Sequence, residues 1–112
     1  MIHHLALADD WIEAQRVGRY PWSTRGATVA EVGYVHCSFD HQWRAVRQRF
    51  YSDLPDDSLV LLTLDEERLG HPVVVERLDG APEAFPHIYG ELELDAVVEV
   101  RNLGVPGLRA SE

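Results

Sequence analysis

The sequence predicts an α+β domain, and three observations carry that expectation. Apolar stripes of helical period are confined to the first half of the chain. Runs of strand type crowd the second half, and no regular strand–helix–strand repeat links them. The expected architecture is a single compact domain over residues 1–104, with five to six strands in one mixed or antiparallel sheet and two main helices. Residues 105–112 read as a frayed tail. With 46% hydrophobic and 26% charged residues among 112, the chain has enough apolar surface for a core without staples.

Ile2 to Leu7 alternates as the first strand, placing His3 with Leu5 and Leu7, and His4 on the other face with Ile2 and Ala6. Asp9 or Asp10 then reads as a helix N-cap, Asp10 and Glu13 having capping-box spacing, and Gly18 as the C-terminal stop. Residues 19–32 show no clean period and contain Pro21 and Gly26. A loop of about fourteen residues is long enough to cover something. Gly33 to Ser38 alternates again, with Val35 and Cys37 on one face and Tyr34, His36 and Ser38 on the other. Ser38 stands where an N-cap belongs, because Phe39, Trp43, Val46 and Phe50 follow at gaps of four, three and four. That aromatic stripe reads as core packing.

Leu59 to Leu64 is a near-continuous apolar run of buried-strand type. Asp65 to Gly70 makes a short helical turn. Val73 to Arg77 forms the next strand, Phe85 to Gly90 another, and Val97 to Leu103 the last.

The formal charge of −9 is unevenly placed, and no lysine is present. Residues 1–50 carry six Arg against five Asp/Glu; residues 51–112 carry four against fourteen. Such a field repels a nucleic-acid backbone, yet an arginine fork in the first half could still grip one or two phosphates. One cysteine, no basic-then-apolar leader and no run approaching membrane length point to a cytoplasmic protein with no membrane association. Oligomeric state is not legible.

The six histidines show neither H-x-x-x-H nor H-E-x-x-H spacing, and no metal is expected. Cys37 alternates onto the core face, where a thiol is inert. His4 and His36 each lie opposite the face of their strand assigned to the core, so on neighbouring strands they would line one cleft. His87 and Tyr89, two apart with Ile88 turned inward, could form a face of their own, and polar aromatics on separate strands could share a pocket.

Ile2-His3-His4-Leu5, Gly33-Tyr34-Val35-His36-Cys37-Ser38, Arg49-Phe50-Tyr51, Leu59-Val60-Leu61-Leu62, Leu69-Gly70, Glu76 and Phe85-Pro86-His87-Ile88-Tyr89-Gly90 occur in that order. Together, over roughly residues 1–103, the chain resembles the bacterial domain-of-unknown-function family 952. That family looks like a compact, distant member of the ADP-ribosyltransferase-like superfamily, near the RNA 2′-phosphotransferases. The resemblance implies an ADP-ribosyltransferase-like fold and a cleft for NAD, ADP-ribose or a related nucleotide. It gives His4 a ribose contact and His36 a place beside the nicotinamide. Glu76 and the segment around His87 both compete for the third motif position. The family pattern more often has Tyr where His3 stands and Trp where Val75 stands.

The expected site therefore has His36 and Glu76 as catalytic residues, with His4, Tyr34, Ser38, His87 and Tyr89 binding ligand. The chemistry would be that of an ADP-ribosyltransferase or NAD glycohydrolase. The alternatives are a non-catalytic module binding a nucleotide or small metabolite in the same cleft, and a structural or partner-binding protein. RNA 2′-phosphate chemistry is disfavoured, since that substrate wants a basic surface this chain lacks.

Overall fold

In a computed structural model that describes residues 1–78 and 80–105, the first strand is the piece against which both hydrophobic clusters pack. β1 (Ile2–Leu7) pairs antiparallel with β5 (Leu59–Leu64), in register from Ile2 opposite Leu64 to Leu7 opposite Leu59. β8 (Val97–Asn102) lies on the other side of β5, also antiparallel. Alternation divides the side chains. Ile2, Ala6, Val60, Leu62 and Leu64 enter one cluster, while Leu5, Leu59 and Leu61 enter the other. With both faces of β5 covered, its continuous apolar run is accounted for.

α1 (Ala8–Val17) packs Trp11 and Ala14 into the first cluster. It leaves β1 without an intervening loop: extended Leu7 occupies the N-cap position and no side chain caps the helix. The expected cap by Asp9 or Asp10 is corrected accordingly. Both lie inside the first turn, where their charge still opposes the positive end of the helix dipole. Gly18 ends the helix at φ 83°, and its N–H reaches the Ala14 carbonyl. Gly18→Ala should therefore cost about 1 kcal/mol, read as a lower urea midpoint at unchanged slope.

Residues 19–32 are not an unstructured loop. They contain the hairpin of β2 (Trp22–Thr24) and β3 (Ala27–Thr28), followed by one helical turn, α2 (Val29–Val32). Thr28 and Glu31 close that turn with a reciprocal capping box. A hairpin this short leaves too few residues for a periodic signal, which is why the sequence reads as irregular.

The second three-stranded sheet has the order β4 (Val35–His36), β7 (Phe85–Ile88), β6 (Val73–Glu76), antiparallel throughout. Paired backbone hydrogen bonds between His3 and Ser38, both 2.8 Å, tie it to β1. The single five- to six-stranded sheet expected from sequence is thus eight short strands in three small antiparallel sheets. Three α-helices and three 3₁₀ turns complete the described residues of this single α+β domain. The expected frayed tail falls on residues 106–112, outside the described residues, apart from Val105.

α3 (Trp43–Phe50) covers the other face of the first sheet. It starts five residues later than Ser38 because Gln42, not Ser38, occupies the N-cap position, and the Gln42 carboxamide is committed to the preceding turn. The aromatic stripe is split by the fold. Phe39 packs on the first cluster, Trp43 and Val46 belong with the second, and Phe50 is 60% exposed.

Candidate functional site

Cross-strand pairing in the second sheet puts the polar aromatics on one face. His36 of β4 stands directly opposite His87 of β7, and His87 is opposite Val74 of β6. Glu76, two residues beyond Val74, shares that face and comes diagonally within reach of His87. The other face carries Val35, Ile88 and Val73 into the first core cluster. Tyr34, two residues before His36, stacks on the His87 ring at 4.2 Å and 28°. It meets His36 edge-on at 4.9 Å, while His36 and His87 stand perpendicular at 5.3 Å.

Glu76 organises this cluster. Its Oε2 accepts from His87 Nδ1 at 2.8 Å and from the Tyr89 hydroxyl. Those two donors, Tyr89 first, hold the carboxyl below its ordinary range, so it is ionised at neutral pH. The same bond pushes the Tyr89 phenol up to about 12. With Nδ1 donating, His87 turns Nε2 away from Glu76, and Oε1 of Glu76 has no hydrogen-bond partner among the described residues. The His36 ring also has no partner there. Crowding by the walls around it, followed by the nearby His87, lowers its pKa and favours the neutral imidazole. Tyr89→Phe removes one of the two donors, so the Glu76 carboxyl should titrate at higher pH than in wild type. Carbon-detected NMR of the side chain would check it, and an unchanged titration would contradict the bond.

This face forms one wall of a cleft of about 570 Å³, inside the range of roughly 300–1,000 Å³ common for small-ligand sites. α3 supplies the facing wall with Val46, Arg49 and Phe50, and the β2–β3 hairpin adds Thr24 and Arg25. The hairpin is pinned to the end of α3: Thr24 Oγ1 meets the Tyr51 hydroxyl at 2.9 Å, and Arg25 forks onto Asp53 at 2.8 and 3.0 Å. The segment before β7 closes a third side. Gln42 holds it by donating to Glu83 and to the Ala84 carbonyl, both at 2.8 Å.

Of the residues expected in the site, Tyr34, His36, Ser38, Glu76 and His87 line this cleft, and Tyr89 reaches it through Glu76. His4 does not. Its side chain is buried, with Nδ1 donating to the His36 carbonyl at 2.6 Å and Nε2 accepting from Tyr20 at 2.8 Å. The expectation that His4 and His36 share a cleft is corrected. His4 touches the backbone of β4 from beneath, because β1 lies in the other sheet and its His4 face is the first core. Cys37 is buried with its thiol pushed far up, as its alternation implies. Among the described residues no three His, Cys, Asp or Glu side chains gather as a metal site. No helix among them is long and apolar enough to cross a membrane.

Sequence reasoning missed Arg25, Arg49, Phe50 and Tyr51 as cleft residues. The available signal was the long segment before Gly33, suspected of covering something. It brings Thr24 and Arg25 over the cleft.

The fold and cleft thus define a small α+β domain with a histidine- and tyrosine-walled pocket. Residues 5–100 match the model of the family described as "Protein of unknown function (DUF952)", and the chain belongs to that family. It is also similar to protein CC0527 from Caulobacter crescentus, in two crystal structures of which one is a double-methionine variant. Each aligns at a TM-score of 0.73 with 24% identity, covering 90% of this chain and 83% of that one, a likeness of fold. No curated protein matches the chain.

Proposed function

We propose that the cleft binds a ribose-bearing nucleotide of the NAD or ADP-ribose class and acts at its ribosyl carbon, in an ADP-ribosyltransferase-like manner. The observation that carries this reading is the Glu76 carboxylate, ionised, locked by His87 and Tyr89 through one oxygen and free at the other. Breaking a nicotinamide–ribose bond builds positive charge on the ribosyl carbon, and a fixed carboxylate stabilises that charge without reorganising. His36, neutral and unpaired at the same wall, is suited to hold a ribose hydroxyl in a reactive pose. Tyr34 and His87 offer the flat surface against which a ring can rest. His4 has no part in ligand contact on this reading. It supports β4 from behind.

The test is thermal shift and calorimetry with NAD, ADP-ribose and adenosine, together with nicotinamide release from NAD. Stabilisation of several degrees at millimolar ligand is expected. Binding without release leaves a non-catalytic nucleotide module. No stabilisation by any of them removes the nucleotide reading.

A further inference from the structure

We infer that Arg49, at the end of α3, forms an anion subsite that takes the phosphate of the ligand; this rests on the nucleotide reading above. Three arginines surround that helix end, and two are already committed. Arg25 donates to the Phe50 carbonyl at 3.2 Å and forks onto Asp53. Arg47 donates to the carbonyls of Tyr51 and Leu54 and pairs with Asp56 at 2.7 Å. Helix C-termini carry partial negative charge that disfavours an anion. Here Arg25 and Arg47 cover the carbonyls of Phe50 and Tyr51, which answers part of that charge.

Arg49 is the third, and it is spent on neither task. Its guanidinium has no carboxylate within ion-pair distance among the described residues, in a protein with 19 Asp and Glu. Arg16, Arg19, Arg25, Arg47 and Arg68 each have one, and although Arg44, Arg77 and Arg101 also lack one among the described residues, none of those three lines the cleft. Arg49 lines the cleft and lies over the Phe50 ring at 5.3 Å. Phe50, 60% exposed in that same wall, leaves an apolar face for a base or ribose.

The two carboxylates of the cleft are held in place away from Arg49, Glu76 through one oxygen by His87 and Tyr89 and Glu83 by Gln42. The cleft is thereby polarised, with a free cation near α3 and a fixed carboxylate on the second sheet. A nucleotide fits that order, phosphate toward Arg49 and ribose hydroxyls toward Glu76. An arginine fork matches two phosphate oxygens at once.

Calorimetry with ADP, adenosine and inorganic pyrophosphate, on wild type, Arg49→Gln and Arg49→Lys, tests this. Wild type should bind ADP at least tenfold more tightly than adenosine. Arg49→Gln should weaken ADP about tenfold to hundredfold, the scale of one charge-assisted contact, and leave adenosine unchanged. Arg49→Lys should recover part of the loss. Equal affinity of wild type for ADP and adenosine, or equal weakening of both by Arg49→Gln, overturns the subsite. Pyrophosphate separates the two ideas. If it binds wild type but not Arg49→Gln while ADP and adenosine fail, the anion subsite stands and the nucleotide reading falls. If wild type binds none of the three, both fall. Arg49 is exposed, so matching melting curves are expected for all three proteins.

Discussion

His36→Asn should lower nicotinamide release from NAD about 10²-fold while leaving the melting temperature within a degree or two of wild type. The size follows from losing one preorganised contact in the transition state. Retained stability follows from geometry: the His36 ring is exposed and makes no hydrogen bond among the described residues, while Val35 and Cys37 on the opposite face stay packed. Glu76→Gln should match that loss of rate by a different route. It keeps the shape of the side chain and removes the charge that faces the ribosyl cation. Gln also offers His87 Nδ1 and the Tyr89 hydroxyl a weaker acceptor than a carboxylate. Both variants should bind a non-reacting ligand such as ADP-ribose within about tenfold of wild type. Nicotinamide release no faster than the uncatalysed background in wild type would exclude a hydrolase acting on free NAD. A His36→Asn protein that unfolds would show that the ring is part of the core after all.

Much of the fold was readable because most of its larger elements obey a single local period. Leu59 to Leu64 is apolar at nearly every position because α3 covers one face of β5 and α1 with the second sheet cover the other. The stop at Gly18 needed only a positive φ. Sheet membership was not readable. Nothing local distinguishes two strands in one sheet from two strands joined by a single bridge, as β1 and β4 are through His3 and Ser38. The count of sheets rests on long-range pairing, and so did the error about His4.

The candidate site divides along the same line. Alternation placed Tyr34, His36 and Ser38 on the face opposite Val35, and His87 opposite Ile88, which is half of the cleft wall. Glu76 could be named but not connected, since its bond to His87 depends on the diagonal register of β6 on β7. Phe50 was misjudged for a physical reason. A helical stripe predicts which residues share a face, but not where the helix outruns the core beneath it. α3 outruns its core at Phe50.

His4→Ala should be among the most destabilising single changes in the molecule, costing about 3 kcal/mol and lowering the melting temperature by roughly 10–15 °C. The ring fills space in the first core, edge-on to Tyr20 at 5.4 Å. Its removal leaves a cavity and strands two groups, the buried Tyr20 hydroxyl and the His36 carbonyl. The hydrogen bonds also fix its chemistry. Nδ1–H donates to a carbonyl and Nε2 accepts from a hydroxyl, an arrangement that only the neutral imidazole satisfies. Burial accordingly lowers its pKa to about 4 in the folded protein, against about 6.5 when unfolded. A depressed folded value means that the unfolded chain binds the extra proton first. The contribution of His4 is therefore complete above about pH 6.5 and is lost as pH falls toward 4, by about 3 kcal/mol at the acid end. His3, also lowered by burial, pushes in the same direction. Comparison with His4→Gln isolates His4, because that variant keeps polar atoms near Tyr20 and has nothing to titrate there. The gap in urea stability between wild type and His4→Gln should narrow steadily from pH 7 to pH 4. A gap that stays constant would mean that the imidazole is not held neutral in the core.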